Sequence, residues 1–178
     1  MSKVEVYISE ERLQKRVAEL GEQISKDYSS PDKKLLVVGI LKGSVMFMTD
    51  LLKKITCPCV IDFMATSSYG SSTVSSGNVK ILKDLDVDLG EYDVLIVEDI
   101  LDRGYTLSKI LDILKMRHPR SLKLCALLDK PEGRVVEGVD LAYSGFEIQN
   151  QFVVGYGLDY AEYYRNLPYI GILHLDEE

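Results

Sequence analysis

The stretch Val94-Leu95-Ile96-Val97-Glu98-Asp99-Ile100-Leu101-Asp102-Arg103-Gly104-Tyr105-Thr106-Leu107 decides how this chain is read. Four apolar residues in a row, Val94 to Val97, predict a strand buried on both faces. A polar turn over Glu98 to Thr106 follows, with three acidic residues, a glycine and a hydroxyl, and then a helix expected to end near Arg117. Where a strand opens through a glycine turn into a helix, backbone N–H groups can cradle a phosphate. The carboxylates just upstream suit diol hydroxyls or a magnesium ion. Carboxylates beside a phosphate cradle repel the anion, so the pairing makes sense only for a ligand that also carries hydroxyls or metal. The competing reading is a solvated acidic turn that favours the helix N-terminus through the helix dipole, worth about 0.3–1 kcal/mol.

The flanking segments repeat the same grammar. Leu13, Val17, Leu20 and Ile24 recur at helical spacing behind Ser9, a candidate N-cap, and predict a helix to about Tyr28. Ser29-Ser30-Pro31 ends it, and Leu35 to Ile40 is again a continuous apolar run. Phe47, Met48, Leu51, Leu52 and Ile55 give a helical pattern over Val45 to Ile55, and a Cys57-Pro58-Cys59 turn leads into a strand from Val60 to Met64. Downstream, Leu122 to Leu128 reads as a further strand. This alternation predicts an α/β fold, an open and mainly parallel sheet flanked by crossover helices, with its ligand crevice at the carboxyl ends of the strands. Between the two units, Ser67 to Gly77 is small, polar and almost without anchors for a core. A loop of this length is a functional lid or a disordered connector, and composition favours neither.

The chain has 178 residues, 21 Lys and Arg against 28 Asp and Glu, and a formal net charge of −7. That balance argues against a nucleic-acid backbone as the main partner, which needs clustered Lys and Arg. The length fits one domain over residues 1–178, with about 70% of the unfolded surface buried on folding. Apolar runs fall far short of the ~18 residues of a membrane span, and Met1 to Val6 offers no apolar segment of a secretion signal. A cytoplasmic protein without a membrane partner is expected. The three cysteines, an odd number, point to reduced thiols. Cys57 and Cys59 are one residue too close for a CxxC motif, and His118 and His174 stand in unrelated contexts, so no zinc site is expected. Two decoys fail on their glycines. Asp84-Leu85-Asp86-Val87-Asp88 starts like a calcium loop but continues with Leu89, and Gly155-Tyr156-Gly157 reaches Tyr160 where a dinucleotide fingerprint needs glycine. No GxxxxGK[ST] occurs.

The quoted stretch resembles the phosphoribosyl diphosphate (PRPP) motif of the purine phosphoribosyltransferases. Leu41-Lys42-Gly43-Ser44, Ser68-Tyr69, Leu127-Leu128-Asp129-Lys130-Pro131, Gly145-Phe146-Glu147-Ile148 and Phe152 to Tyr160 are similar to further segments of the bacterial hypoxanthine-guanine members, in the same order. The resemblance extends from about Val4 to Leu173. It implies the type I phosphoribosyltransferase fold, with a small hood formed by the terminal segments and a flexible active-site loop at about 67–78. It also implies transfer of the phosphoribosyl group of PRPP to N9 of hypoxanthine or guanine, giving IMP or GMP and pyrophosphate, with Mg2+ and in a homodimer or homotetramer.

The resemblance carries roles residue by residue. Glu98 and Asp99 would hold the ribose hydroxyls, with or without the metal. Asp102 would be the general base near purine N7. The backbone of Asp102, Arg103, Gly104, Tyr105 and Thr106, with the Thr106 hydroxyl, would bind the 5′-phosphate. Lys42 and Gly43 would meet the pyrophosphate, in a loop that often carries a cis peptide before the lysine. Lys130 would bond the purine O6, Phe152 would stack on the base, and the Val153 backbone would read its edge. Asp159, beside the base, would bind a magnesium ion that carries the pyrophosphate, and Arg165 would clamp that pyrophosphate. Ser68 and Tyr69 would close over the site. From residue type alone, Lys130 reads as a surface lysine and Phe152 as a core residue. Arg103 departs from the pattern, which usually has Thr or Ser there, and altered PRPP affinity is expected. A regulatory PRPP-binding protein is the rival from another class, but no basic face or added DNA-binding helix pair is visible. A transferase preferring xanthine or another base is the second rival, and a purely structural protein leaves the strand-end carboxylates unexplained.

Overall fold

Apolar runs such as Leu35 to Leu41 can be hidden only if both faces of the strand are covered, and the architecture follows from that need. The computed structural model describes residues 3–68 and 79–174. In chain order the elements are β1 (Lys3–Ile8), α1 (Glu10–Asp27), β2 (Leu35–Leu41), α2 (Val45–Leu52), β3 (Cys59–Ser68) and β4 (Val79–Lys83). They continue with β5 (Asp93–Leu101), α3 (Tyr105–Lys115), β6 (Ser121–Asp129), β7 (Tyr143–Glu147), β8 (Val153–Val154) and β9 (Ile170–His174).

Six strands form the main sheet in the order β4-β3-β2-β5-β6-β7, parallel except for the β3–β4 pair. Alternate side chains of β2, β5 and β6 serve the two faces. Val37, Leu95, Val97, Cys125 and Leu127 pack with α1 and α2, while Leu36, Val38, Val94, Ile96, Leu124 and Ala126 pack with Leu107, Ile110, Leu111 and Leu114 of α3. The Ser9 hydroxyl caps α1 by accepting the Arg12 N–H at 3.3 Å. The second sheet, β1-β9-β8, is antiparallel and joins the two ends of the described chain in a small hood. Ile8, Val153 and Ile170 tie it into the apolar cluster of α1 and α2.

The expected open α/β sheet is present, with instructive differences. The acidic residues Glu98 and Asp99 belong to β5, which runs on to Leu101 because Ile100 and Leu101 still pair with Leu128 and Asp129 of β6. The turn therefore shrinks to Asp102–Gly104. Helix α2 stops at Leu52, although the Ile55 N–H still bonds the Leu51 carbonyl at 3.2 Å. Strand β3 extends through Ser67 and Ser68, so the polar stretch begins later than expected. Tyr69 and residues 70–78 lie outside the described residues. Connections leave β2 toward β3 on one side and β5 toward β6 on the other, which makes the carboxyl ends of β2 and β5 a topological switch point. Among the described residues, no helix is long and apolar enough to cross a membrane. All three cysteines are free thiols, with Cys125 buried.

Candidate active site

Three groups of side chains gather at that switch point. The first is the turn after β5. Gly104 sits at φ +86°, a left-handed conformation that glycine adopts without a Cβ clash, and it delivers the chain into α3. The first turn of α3 has no acidic residue and no side-chain cap, so its leading N–H groups face a cavity of about 320 Å3. Glu98 and the stretch from Ile100 to Leu107 line it. The turn is held from behind: the Arg103 carbonyl accepts the Val135 and Val136 N–H groups, each at 3.1 Å. The Arg134 Nε donates to the Asp102 carbonyl at 2.9 Å while its guanidinium pairs with Asp129. Sequence reading missed Arg134, and nothing local marks it, since one of its partners lies 32 positions away. The Arg103 side chain is exposed and enters no hydrogen bond or ion pair with a described residue.

The second group is an acidic floor beneath a cationic rim. Glu98 and Asp99 are half-buried side by side, and the Asp99 Oδ1 accepts its neighbour Ile100 N–H at 2.7 Å. Burial, and then the adjacent Asp99 carboxylate, push the Glu98 pKa well above the usual carboxylate range. Burial raises that of Asp99 as well. The loop after β2 crosses directly over this floor, its Leu41–Lys42 peptide cis as expected. A Cβ on Gly43 would collide with the Asp99 carboxylate, and a Cβ on Gly157, at φ +101°, would collide with the Gly43 carbonyl. Arg165 Nη1 donates to the Gly157 carbonyl at 2.7 Å, and its Nη2 lies 3.1 Å from Asp159 Oδ1. Lys42 reaches the same neighbourhood, 2.8 Å from Glu162. Arg165 Nε is buried without a partner among the described residues.

The donor set suits magnesium. Two adjacent carboxyl groups that burial drives toward protonation, Glu98 further so through the Asp99 charge, gain from a divalent cation. Among the described residues no group of three or more His, Cys, Asp or Glu is placed to hold a metal ion alone. Magnesium commonly takes one or two protein carboxylates and fills its octahedron with water and substrate phosphate oxygens.

The third group lies at the end of β6. Lys130 is buried, against the surface reading, with its N–H bonded to the Leu101 carbonyl at 2.9 Å and its Nζ 3.8 Å from Asp102 Oδ2. Gly133 packs on the other oxygen of Asp102, where a Cβ would collide. Phe152 departs from the core reading: it is 52% exposed and meets the Tyr160 ring edge-on, centroids 5.8 Å apart. Val153 is buried, paired with Ile172. The structure thus brings Lys42, Gly43, Asp99, Asp159 and Arg165 into one contact network and Asp102 with Lys130 into another, with β5 joining them. Ser68 ends β3, and its side chain and Tyr69 lie outside the described residues.

Residues 7–161 match the phosphoribosyl transferase domain family. Hypoxanthine phosphoribosyltransferase of Buchnera aphidicola subsp. Schizaphis graminum is 53% identical over 168 residues, 94% of each chain. The crystal structure of a hypoxanthine phosphoribosyltransferase from Staphylococcus aureus superposes with a TM-score of 0.91 at 51% identity, over 96% of this chain and 91% of that one. The bifunctional protein TilS/HprT of Listeria monocytogenes serotype 4b is 55% identical over 168 residues, 94% of this chain but 26% of that longer protein. A glycine turn, an acidic strand end and a crevice at the switch point, matched along nearly the whole chain by such relatives, make this chain a member of the phosphoribosyl transferase family.

Proposed function

We propose that this protein is a purine salvage transferase, a hypoxanthine phosphoribosyltransferase that moves the phosphoribosyl group of PRPP to N9 of hypoxanthine, and also of guanine. The products are IMP or GMP and pyrophosphate. The observation that carries the reading is the open N-terminus of α3 beside the Glu98–Asp99 floor. A phosphate at the N–H groups of Asp102–Thr106 places the attached ribose over two carboxyl groups, and its diphosphate toward Lys42 and Arg165.

Attack of N9 on C1′ passes through a transition state with oxocarbenium character, so the protein orients two reactants and accommodates the departing pyrophosphate. Glu98 and Asp99 accept hydrogen bonds from the ribose hydroxyls and fix the ring. Glu98, Asp99 or Asp159 would hold Mg2+, which would supply charge neutralisation to the leaving group. Lys42, the Gly43 backbone and Arg165 position the diphosphate, the arginine through its planar fork of donors. Lys130 donates to the purine O6, Phe152 covers the base, and the Val153 backbone reads its edge. Asp102 takes the N7 proton as the N9–C1′ bond forms, a contribution of about 10²–10⁴-fold. The active form is a cytoplasmic homodimer or homotetramer.

Incubation with PRPP, magnesium and each of hypoxanthine, guanine, xanthine and adenine, followed by nucleotide detection, tests the proposal. IMP and GMP are expected. Absence of product with every base would leave a PRPP-binding regulator, and faster XMP formation would reassign the base.

A further inference from the structure

Two cations drawn from distant parts of the chain meet at one carboxylate. Glu162 Oε2 lies 2.8 Å from Lys42 Nζ, 120 positions away, and Glu162 Oε1 lies 3.5 Å from Arg165 Nη2. The backbone that aims Glu162 at this spot is unusual. Ala161, Glu162 and Tyr164 all have positive φ, at 50°, 70° and 75°, conformations that L side chains hold only when their surroundings impose them. The restraint is visible: Asp159 Oδ2 accepts the Glu162 N–H at 2.8 Å, and Tyr160 and Tyr163 exchange backbone hydrogen bonds of 3.1 and 3.0 Å. Strain clustered around one charged side chain calls for a use of that side chain.

We infer that Glu162 is the built-in counter-anion of the diphosphate subsite, occupying Lys42 and Arg165 when the diphosphate is absent and yielding them when it binds. The inference rests on the proposed role of Lys42 and Arg165 as diphosphate ligands. Lys42 and Glu162 are 68% and 65% exposed, so their pair is weak and easily exchanged for a ligand of higher charge. Glu162 therefore acts as a competitor held at fixed local concentration. It lowers the affinity for PRPP and, to the same extent, for product pyrophosphate, which eases product departure. Asp159 couples the two states, because it accepts the Glu162 N–H while its other oxygen holds Arg165. A ligand that recruits Asp159 withdraws the support of the Glu162 turn.

Calorimetric titration of the full chain with pyrophosphate and magnesium tests this, with the PRPP Michaelis constant as a second measure. Glu162→Gln should bind pyrophosphate about two- to fivefold tighter, the range of an exposed ion pair, and lower the PRPP constant in parallel. In a Lys42→Met background the gain should shrink. Pyrophosphate affinity that is unchanged or weaker in Glu162→Gln, while Lys42→Met and Arg165→Met both weaken it, overturns the role of Glu162 and leaves the subsite standing. Unchanged affinity in Lys42→Met and Arg165→Met would remove the subsite itself, and the inference with it.

Discussion

Replacing Lys130 by methionine should separate activity from stability with opposite signs. The Lys130 side chain is 8% exposed and its ammonium has Asp102, at 3.8 Å, as its charged neighbour. Burying an ammonium costs several kcal/mol, and a partner beyond hydrogen-bond distance recovers only part of it. Asp102 is 44% exposed, so water screens the pair and then solvates the carboxylate that Lys130→Met leaves behind. Methionine fills similar volume without the charge. Stability should therefore be unchanged or higher by up to about 2 kcal/mol, which is up to about 8 °C in Tm for a chain of this size. Binding of the base should lose a charge-assisted hydrogen bond of about 1.5–3 kcal/mol, lowering kcat/KM for hypoxanthine about 10- to 150-fold. The Michaelis constant for PRPP should stay within about a factor of two. Differential scanning fluorimetry and steady-state kinetics with each substrate varied in turn read all three quantities. A lower Tm with parallel loss of affinity for both substrates would make Lys130 a structural residue and refute the reasoning.

Other perturbations test other parts of the site. Asp102→Asn should reduce turnover by about 10²–10⁴-fold while calorimetric PRPP affinity stays near parental, and the reverse pattern would exclude Asp102 as the base. Arg103→Thr removes an exposed cation from the cavity mouth and should raise the Michaelis constant for PRPP about two- to fivefold; an unchanged constant would place the guanidinium in solvent. Gly157→Ala forces a Cβ onto a residue at φ +101° and against the Gly43 carbonyl. Strain and overpacking of about 2–5 kcal/mol together should lower Tm by at least about 4 °C and weaken PRPP binding through the displaced Lys42–Gly43 loop. Burial alone would raise the pKa of Asp93, but the Ser121 hydroxyl, the Lys34 N–H and the charges of Lys33 and Arg120 outweigh it and hold the carboxyl below its usual range. Its stabilisation is complete above the unfolded value near 3.9 and is lost as pH falls through the depressed folded value. Asp93→Asn should therefore flatten the acid-unfolding profile below about pH 4, and an unaltered slope in urea titrations across that range would count against the assignment.

Local signals suffice where one physical demand dominates. Leu35 to Leu41 and Leu122 to Leu128 are continuous apolar runs, and only a sheet covered on both faces hides them, so the central strands are legible. The short edge strand β4 has no such signal: Val79–Lys83 alternates half-buried and exposed residues behind a polar stretch, and it pairs antiparallel with β3. Glu98 and Asp99 look like turn residues because carboxylates leave strands, yet the ladder to β6 carries them onward. Residue type misleads in the same way at Lys130 and Phe152. A lysine is expected outside and a phenylalanine inside, and the structure reverses both. Such reversals cost stability and run against residue type, which is why composition did not place them. Arg134 and Glu162 were missed because one partner of each is set by a tertiary contact, 32 and 120 positions away.

The acidity of the chain also takes on a different meaning once its distribution is known. A net charge of −7 argues against a surface that coats nucleic acid, but it says nothing about a crevice a few residues wide. Within that crevice charge is ordered along the proposed substrate. In the proposed binding mode the neutral N–H groups of α3 would meet the 5′-phosphate, the carboxyl groups the ribose, and Lys42 and Arg165 the diphosphate. The carboxyl groups would repel PRPP if both were ionised and bare. Burial raises both pKa values, and the Asp99 charge raises that of Glu98 further, while the Ile100 N–H and the Arg165 charge offset only part of the rise at Asp99. Ribose hydroxyls and a divalent cation would relieve that repulsion, whereas a simple phosphate cannot. In the proposed binding mode the acidic floor would therefore discriminate against inorganic phosphate and favour a sugar diphosphate accompanied by metal. A larger net positive charge at the site would bind both and lose that selectivity.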